Sequence, residues 1–470
     1  MGSSAVGMGQ EQAGRRRMIP NLGTSARAAK PVRAAALALL LVLPACGTLE
    51  SIGQAVGSST PTAQPGEEGF VRGFLGYAVA EEPRAALAAR NVLSAGGNAT
   101  DAAVAAGFML SVTLPSRAGL GGGGACLTYH PRRNEAQALL FLPGARDGVP
   151  AGADRPAAVP MLARGLFALH ARAGVRPFES LMVPAETAAR LGVETSRALA
   201  TDLAAVAGPL FADPWSAAVF AGPGGRPLGI GDQVVQADLG ATLSQLRTSG
   251  VGDLYQGALA RRVAEASVAA GGGLRAEEMR VSVPRLAQPL QVSRGNEMIS
   301  FLPAEVPGGQ ASALAFAGTG AAAPGQPLPA STGLVVVDRD GMAVSCVFTM
   351  NNLFGTGRIA PGTGMVLAAA SGIGQVAPPL LAAGIVHVPN TRAFRAAATG
   401  SGQAMAPAAL ATALGGALRG ASAAEALAGV PEPGRALLVS CPRTLPGNAE
   451  GCTAAVDPRG AGLALGSTDR

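Results

Sequence analysis

Residues 329–357 read Pro-Ala-Ser-Thr-Gly-Leu-Val-Val-Val-Asp-Arg-Asp-Gly-Met-Ala-Val-Ser-Cys-Val-Phe-Thr-Met-Asn-Asn-Leu-Phe-Gly-Thr-Gly, and this stretch decides the fold. It holds two apolar runs rich in β-branched residues, Leu334–Val337 and Ala343–Phe348, separated by a segment that contains Asp340-Gly341. An Asp-Gly pair between two such runs predicts a β-hairpin. Runs that are apolar throughout, without alternation, indicate strands that are buried on both faces.

Polar side chains mark the open end of this hairpin. Ser331 and Thr332 stand just ahead of the first run, and Thr349 and Asn351 follow the second. In an antiparallel hairpin of this length, positions 331 and 349 lie side by side. Two hydroxyls and an amide are therefore expected to converge at one edge of a sheet. On its own, the pattern also fits an ordinary hairpin with polar residues at its mouth.

The same residues resemble the start of the small subunit of the γ-glutamyltranspeptidases. The resemblance is carried by Ser331-Thr332-x-x-x-Val336-Val337-Asp338, by Asp340-Gly341, by Phe348-Thr349-Met350-Asn351 and by Phe354-Gly355-Thr356-Gly357. It implies that a precursor cuts itself between Ala330 and Ser331, and that Ser331, in place of the family's Thr, becomes an N-terminal nucleophile. The freed α-amine, with an ordinary pKa of about 8, would accept the hydroxyl proton. Thr349 would support Ser331, and Asn351 would supply a polar contact.

The resemblance extends over about residues 76–470. The large-subunit signature is similar to Gly96–Ala106 and the glycine run behind it. One piece of the family is absent, because only the Ala/Gly/Pro-rich linker Thr319–Ala330 stands where the family carries a long helical stretch before the nucleophile. The resemblance implies an α+β fold, a four-layer αββα sandwich of the N-terminal nucleophile hydrolase type. Residues 76–330 would be the large-subunit-like part and residues 331–470 the small-subunit-like part of one unit.

A glycine-rich motif near residue 120 does not indicate a dinucleotide site. Gly119, Gly121 and Gly124 satisfy GxGxxG. That motif binds a dinucleotide where it follows a strand and opens a helix. Here it follows the helical pattern Asp101–Val112 and opens the strand-like run Ala125–Tyr129, so no nucleotide cofactor is expected.

The residues that would bind the substrate depart from the family pattern. Arg146 is the candidate for the arginine that binds a substrate carboxylate, although its spacing is four residues too long and an exposed loop arginine fits equally. The family's acidic residue for the substrate ammonium falls in Ala368–Ile373, which contains no carboxylate, and its Ser-Ser pair maps to Pro379-Leu380. Gly400 and Ser401 match the family's oxyanion loop, and a glycine-containing start of a helix is the alternative interpretation.

The first 45 residues are typical of a signal peptide. A basic segment precedes the apolar run Ala34–Leu43, which is too short to span a bilayer. The run ends in Ala45-Cys46, similar to a bacterial lipobox, so we expect a lipidated Cys46, with plain secretion as the alternative. Residues 46–75 then form a lipidated cysteine and a flexible tether.

The charge of the chain does not indicate a nucleic-acid partner. The formal net charge is +6, but residues 1–45 hold six basic residues against Glu11 and so contribute +5 of it. The rest of the chain is near neutral and has no basic stripe.

The remaining cysteines do not have metal-site spacing. Cys441 and Cys452 flank a Pro/Gly/Asn loop and are expected to form a local disulfide in an oxidising compartment. Cys126 and Cys346 lie in strand-like runs and are expected to be buried thiols. There is no CxxC and no His/Cys/carboxylate cluster, so no metal is expected.

These features predict an exported, self-processing γ-glutamyltransferase-like amide hydrolase or acyltransferase. Its substrates would be small-molecule amides, glutathione or related γ-glutamyl or acyl amides, with the acyl-enzyme formed on Ser331. It would face the periplasm as a lipoprotein, with its two self-cleaved chains associated as a heterodimer. Glutathione and other γ-glutamyl donors are expected to be poor substrates because the ammonium lacks a partner. Two alternatives remain: an acylase for glutaryl-type amides, and a catalytically inactive envelope lipoprotein with this fold.

Overall fold

The two apolar runs beside Asp340-Gly341 are adjacent antiparallel strands, Ser331–Asp338 and Ala343–Thr349, and every residue of both is buried. The structure is a computed structural model that describes residues 75–146, 148–319, 330–374 and 376–466. At the turn, Gly341 has a φ of 80°, and a Cβ there would lie 2.4 Å from the carbonyl oxygen of Leu445. The turn therefore needs glycine for both its backbone angle and its close packing.

The described strands and helices alternate irregularly along the chain. The strands are β1 (Gly76–Ala80), β2 (Gly123–His130), β3 (Glu135–Phe141), β4 (Val193–Glu194), β5 (Gln233–Val234), β6 (Arg285–Ala287), β7 (Leu290–Arg294), β8 (Glu297–Phe301), β9 (Ser331–Asp338), β10 (Ala343–Thr349), β11 (Ile359–Ala360), β12 (Met365–Val366), β13 (Ala382–Val388), β14 (Ala393–Ser401), β15 (Arg435–Leu445), β16 (Thr453–Val456) and β17 (Leu463–Gly466). The helices are α1 (Pro83–Ser94), α2 (Ala99–Thr113), α3 (Pro115–Ala118), α4 (Leu162–Ala173), α5 (Phe178–Leu191), α6 (Arg197–Phe211), α7 (Pro214–Phe220), α8 (Ala237–Ser249), α9 (Asp253–Gln256), α10 (Ala258–Ala269), α11 (Ala276–Val281), α12 (Gly309–Phe316), α13 (Ala406–Leu418) and α14 (Ala423–Ala428).

Two antiparallel sheets carry most of these strands. The first sheet has the order β17-β1-β9-β10-β2-β3-β6, and the second has the order β16-β15-β14-β13-β8-β7. The strand that begins with Ser331 therefore lies inside the first sheet, between β1 and β10. The strand that ends with Ser401 lies inside the second, between β13 and β15.

The buried residues divide into three clusters that separate four layers. Leu334 and Val336 of β9 face α1 and α2, whereas Val335 and Val337 face the second sheet, as the alternation of side chains along a strand requires. On the far side of the second sheet, Ala396 and Ala398 of β14 pack against α13 and α14. The order helix, sheet, sheet, helix confirms the predicted α+β fold, a four-layer αββα sandwich.

Asp338 connects the hairpin to α2. Its carboxylate accepts hydrogen bonds from the backbone N–H of Ala99 at 3.1 Å and from those of Asp340 and Met342, each at 3.0 Å. Burial raises the pKa of this carboxyl to about 6 in spite of these donors. The start of α2 and the turn between β9 and β10 are thus fixed to each other.

The cysteines form two disulfides. Cys441 and Cys452 are joined across the turn between β15 and β16. The prediction that Cys126 and Cys346 are buried thiols is wrong, because they form the second disulfide. The register of β2 against β10 places these two residues directly opposite each other, 4.0 Å apart at Cα. They are 220 residues apart in sequence, so their spacing alone could not show the pair.

A buried histidine lies between the two sheets. His387 is 3% exposed, and its ring stacks on Tyr129 with 4.4 Å between ring centroids. Its Nδ1 has no hydrogen-bond partner among the described residues. Burial lowers the pKa of His387 to about 4, so the folded protein holds it neutral while the unfolded chain protonates it below pH about 6.5.

The buried His387 predicts a loss of stability in acid. Above pH about 6.5 the histidine is neutral in both the folded and the unfolded chain, so it costs no stability. As the pH falls toward 4, only the unfolded chain gains the proton, and the free energy of unfolding drops by roughly 2 kcal/mol at pH 5. Urea unfolding at pH 7 and pH 5 should show this difference in the natural protein. In His387→Phe, which keeps an aromatic ring beside Tyr129, the difference between the two pH values should be smaller by about that amount. An equal difference in both proteins would contradict the prediction.

The predicted leader, Cys46 and the tether lie outside the described residues, and the division at residue 330 stays a prediction. In the part of the chain that the structure describes, no helix has both the length and the apolar character needed to cross a bilayer.

Candidate active site

Ser331 lies at the open end of the hairpin, directly opposite Thr349. The residue is 1% exposed, and its Oγ has no hydrogen-bond partner among the described residues. A buried hydroxyl without a partner loses its hydrogen bonds to water without compensation, and most buried polar groups have a partner. Ser331 is therefore placed as a nucleophile would be, on a rigid strand beside the peptide bond that precedes it.

Thr349 contacts that peptide bond directly. Its Oγ1 donates a hydrogen bond to the carbonyl oxygen of Ala330 at 2.8 Å. The same Oγ1 accepts one from the backbone N–H of Asn351, also at 2.8 Å. A donor on this carbonyl stabilises the negative charge that develops when a nucleophile attacks its carbon. We expected Thr349 to support the Ser331 hydroxyl, but in the intact chain it is bonded to the carbonyl of the preceding residue instead.

Asn351 adopts a conformation that non-glycine residues seldom adopt. Its φ is 62°, and its side-chain Nδ2 donates to the carbonyl oxygen of Ala369 at 2.8 Å. Asparagine tolerates this region better than most residues, and such conformations cluster at functional sites. Asn351 thus turns the chain away from the end of β10 and holds Ala369 beside that turn.

A cavity of about 470 Å³, here called the Asn351 cavity, opens next to this turn. Residues 351–357 form one wall, and Arg155, Leu210 and Gln403 are among the residues that line the rest. Among the described residues that line it, Arg155 carries the only formal charge. Its Nη1 donates to the carbonyl oxygen of Thr356 at 2.9 Å, and no carboxylate of the described residues forms an ion pair with it. The cavity therefore offers a guanidinium to an anionic group.

The Ala368–Ile373 stretch lies beside this cavity and brings no carboxylate to it. Ala369, Ala370 and Ile373 line an adjacent cavity of about 460 Å³, which Arg155 also borders. The carboxylate of that lining is Asp154, whose two oxygens accept from the guanidinium of Arg358 at 2.7 and 2.6 Å. The described walls of both cavities thus leave a substrate ammonium without an unpaired anionic partner.

Arg146 is not among the described residues that line the two cavities. Its guanidinium pairs with Glu278 at 2.9 Å and donates to the carbonyl oxygens of Ala157, Gly272 and Gly273, and its side chain is 2% exposed. These contacts occupy the terminal nitrogens of Arg146 in the intact chain, and its predicted contact with a substrate carboxylate stays a prediction. The fold uses this arginine to join three chain segments, and Arg155, nine residues later, lies on the cavity wall instead.

Gly400 and Ser401 lie slightly before the expected oxyanion loop. Both belong to β14, because its ladder with β15 continues as far as Ser401 opposite Arg435. The turn between β14 and α13 begins at Gly402 and includes Gln403, which lines the Asn351 cavity and has a φ of 57°. N–H groups at the start of a helical turn lack intrahelical partners and can bind an oxyanion. The turn that starts at Gly402 is thus the candidate place for oxyanion donors, and the predicted role of Gly400 and Ser401 stays a prediction.

Arg155 is the site residue that sequence reasoning missed. It follows Asp154 in a loop between β3 and α4, with no motif around it, and only the folded chain brings it to residues 351–357. Among the described residues, no group of His, Cys, Asp and Glu side chains has the arrangement of a metal site.

Comparison with known proteins gives a family match over about half of the chain. The sequence model of the gamma-glutamyltranspeptidase family matches residues 85–317. The acylase ACY 1 proenzyme of Pseudomonas sp. (strain SE83) is 31% identical over 249 residues, which are 48% of this chain and 44% of that protein. The glutathione hydrolase proenzyme of Escherichia coli (strain K12) is 28% identical over 229 residues, 44% of this chain and 39% of that protein. The alignments therefore span less than half the length of these curated relatives.

A solved structure extends the likeness of the fold over most of the chain. The cephalosporin acylase from Bacillus halodurans superposes with a TM-score of 0.69 at 18% identity, covering 87% of this chain and 98% of that one. At this identity the likeness concerns the fold alone. The family match, the curated relatives and the placement of Ser331 lead to one conclusion: the chain belongs to the γ-glutamyltranspeptidase family.

Proposed function

We propose that the protein is a self-processing amide hydrolase or acyltransferase with Ser331 as its nucleophile. The observation that carries the proposal is the hydrogen bond from Thr349 Oγ1 to the carbonyl oxygen of Ala330, next to the unpartnered Oγ of Ser331. The carbonyl of the Ala330–Ser331 peptide bond is thus polarised by Thr349, and the bond lies beside the buried hydroxyl of Ser331. Such an arrangement suits an attack of the chain on itself.

Self-cleavage proceeds in two balanced steps. The Oγ of Ser331 attacks the carbonyl carbon of Ala330, the C–N bond breaks, and the hydroxyl proton passes to the departing nitrogen of Ser331. The ester that results is hydrolysed by water, which leaves a carboxylate on Ala330 and a free amine and hydroxyl on Ser331. Thr349 stabilises the oxyanion of the first step through the hydrogen bond that it already makes.

Turnover then uses the new N-terminus. The α-amine of Ser331, with an ordinary pKa of about 8, accepts the hydroxyl proton as Oγ attacks the carbonyl of a substrate amide. The proton passes to the leaving amine, and the acyl group remains on Ser331 as an ester. Water, or a second amine in the transferase reaction, removes the acyl group and regenerates the hydroxyl.

The charge of the cavity walls favours one class of acyl donor. Arg155 can bind a carboxylate at the end of the acyl group, whereas an ammonium would have no unpaired anionic partner among the described residues of the walls. An unpaired buried polar group costs about 1–3 kcal/mol, and a charged one costs more. We propose that the donor is a monoamide of a dicarboxylic acid, such as a glutaryl amide. Similarity to the glutathione hydrolase proenzyme supports γ-glutamyl donors as the second candidate.

The test compares the two donors side by side. Glutaryl p-nitroanilide and γ-glutamyl p-nitroanilide differ only in the α-amino group, so the ratio of their kcat/KM values reports how the site treats the ammonium. We expect processed protein to favour the glutaryl donor by roughly tenfold or more, since 1.4 kcal/mol corresponds to a factor of ten. A strong preference for the γ-glutamyl donor would show that an anionic group reaches the ammonium, and would refute the proposed substrate class.

Removal of the Thr349 hydroxyl should slow self-cleavage. Thr349→Val keeps the shape of the side chain but loses the donor to the Ala330 carbonyl, and loss of one such donor costs roughly 100- to 1,000-fold in rate. The rate is followed by mass spectrometry as fragment 331–470 appears. Thr349→Ser, which retains the hydroxyl, is the matched control and should cleave at a rate near that of the natural protein. Cleavage of Thr349→Val at the natural rate would exclude this role.

The two processed chains would also be joined covalently. The disulfide Cys126–Cys346 links a residue before the cleavage point to one after it. We propose a disulfide-linked heterodimer, with β2 and β10 held in register on either side of the bond.

We also propose that the protein is an exported lipoprotein that faces the periplasm. The support is the Ala45-Cys46 pair after the apolar run of the leader, in a chain with two disulfides. Cys46→Ala should lose the lipid and leave the membrane fraction. Unchanged membrane association of that variant would contradict the lipid anchor.

A further inference from the structure

A buried carboxylate connects the two sheets at the end where Ser331 lies. Glu81 follows β1 and is 9% exposed. Its Oε2 accepts a hydrogen bond from Thr332 Oγ1 at 3.0 Å, and its Oε1 accepts one from Ser401 Oγ. Thr332 directly follows the candidate nucleophile on β9 of the first sheet, and Ser401 ends β14 of the second. One side chain therefore contacts the strand of the nucleophile and the strand that leads into the oxyanion turn.

A second group of buried charges holds Glu81 in place. Arg117 of α3 donates to Glu81 at 3.3 Å and binds Asp202 of α6 through two nitrogens, at 2.8 and 2.6 Å. Ser116 donates to the same Asp202 at 2.6 Å. Burial raises the pKa of Glu81, and Arg117 and the two hydroxyl donors oppose that effect. An ionised Glu81 can accept hydrogen bonds from Arg117, Thr332 and Ser401 at once. In a protonated Glu81 one oxygen would carry a hydrogen and accept fewer hydrogen bonds.

We propose that Glu81 is a positioning residue, which fixes the strand of Ser331 relative to the turn after Gly402 through its bonds to Thr332 and Ser401. The inference rests on the proposed function. Glu81 touches neither the Asn351 cavity nor any group given a role in the reaction, so its effect on catalysis must pass through its neighbours. A misplacement of the order of 1 Å between reacting groups costs about 100-fold in rate, so a bond that sets this distance affects kcat.

The proposal predicts a specific kinetic signature. In Glu81→Gln, kcat per processed chain should fall roughly 10- to 100-fold. The KM for glutaryl p-nitroanilide should change less than threefold, because Arg155, the residue proposed to bind the acyl carboxylate, makes no contact with Glu81. The amount of processed chain is counted by mass spectrometry of fragment 331–470, so a folding or processing defect is separated from a slower reaction.

Milder variants keep the inference testable if Glu81→Gln does not fold or process. Thr332→Val removes one hydroxyl from Glu81 and retains a β-branched side chain, and Thr332→Ser restores the hydroxyl. Thr332→Val should lower kcat with little change in KM, and Thr332→Ser should return kcat to near the natural value. A Thr332→Val protein with natural kcat, or with a raised KM instead, would overturn the inference while the natural protein remains active. A natural protein that neither cleaves nor turns over would overturn the proposed function, and this inference with it.

Discussion

Replacement of Ser331 by alanine is expected to abolish both self-cleavage and turnover. Without the hydroxyl, nothing at residue 331 can attack the Ala330 carbonyl that Thr349 activates, and the α-amine of residue 331 is never released. The variant should remain a single chain through an incubation in which the natural protein is fully cleaved. The measurement is intact mass after reduction, together with release of nitroaniline from glutaryl p-nitroanilide.

Ser331→Thr is the matched control for this variant. It keeps a hydroxyl and restores the residue type that the family uses at the nucleophile position, so it should cleave at the same bond. Ser331 is buried, and the extra methyl group has to fit against Thr349, the residue opposite it in the sheet. Cleavage of Ser331→Ala at the natural rate would show that another protease or another residue breaks the bond.

Replacement of Arg155 by alanine is expected to remove the preference for acyl donors that carry a carboxylate. Hydrogen bonds to charged groups contribute roughly 1.5–3 kcal/mol, which corresponds to about a 10- to 100-fold loss of kcat/KM for glutaryl p-nitroanilide. Butyryl p-nitroanilide has an acyl chain that ends without a carboxylate, so its kcat/KM should change little. The ratio of the kcat/KM values for the glutaryl and butyryl substrates therefore reports the effect of the Arg155 charge. A general loss of active protein does not change this ratio.

Arg155→Lys separates charge from geometry in this test. Lysine keeps the positive charge but cannot make two parallel hydrogen bonds to a carboxylate, so an intermediate ratio is expected. A glutaryl to butyryl ratio in Arg155→Ala equal to that of the natural protein would show that the acyl carboxylate binds elsewhere.

The hairpin could be predicted from local sequence. Asp340-Gly341 between two apolar runs specifies one turn and one register, and that register determines that Ser331 faces Thr349. The N-terminal cap of α2 also depends on local sequence. The side chains of Asn98 and Asp101 each accept a hydrogen bond from the backbone N–H of the other residue, three positions away. Resemblance to a known family then supplied the layers, which no local pattern contains.

The electrostatics of the site could not be predicted in the same way. Arg146 and Arg155 are both loop arginines in the sequence, and only tertiary contacts bury the first against Glu278 and leave the second on the cavity wall. Glu81 and Ser401 are 320 residues apart, and Cys126 and Cys346 are 220 apart. Contacts over such separations depend on which strands pair within a sheet and on how the two sheets stack, and spacing along the chain encodes neither.

The intact mass of the purified natural protein, measured with and without reduction, shows whether the chain cuts itself at Ser331. We expect two species after reduction, of which the smaller begins at Ser331, and a single disulfide-linked species without reduction. N-terminal sequencing of the smaller chain should begin Ser-Thr-Gly-Leu. A protein that remains one intact chain after reduction, through long incubation, would contradict the account and favour an inactive protein that keeps this fold for binding or structure.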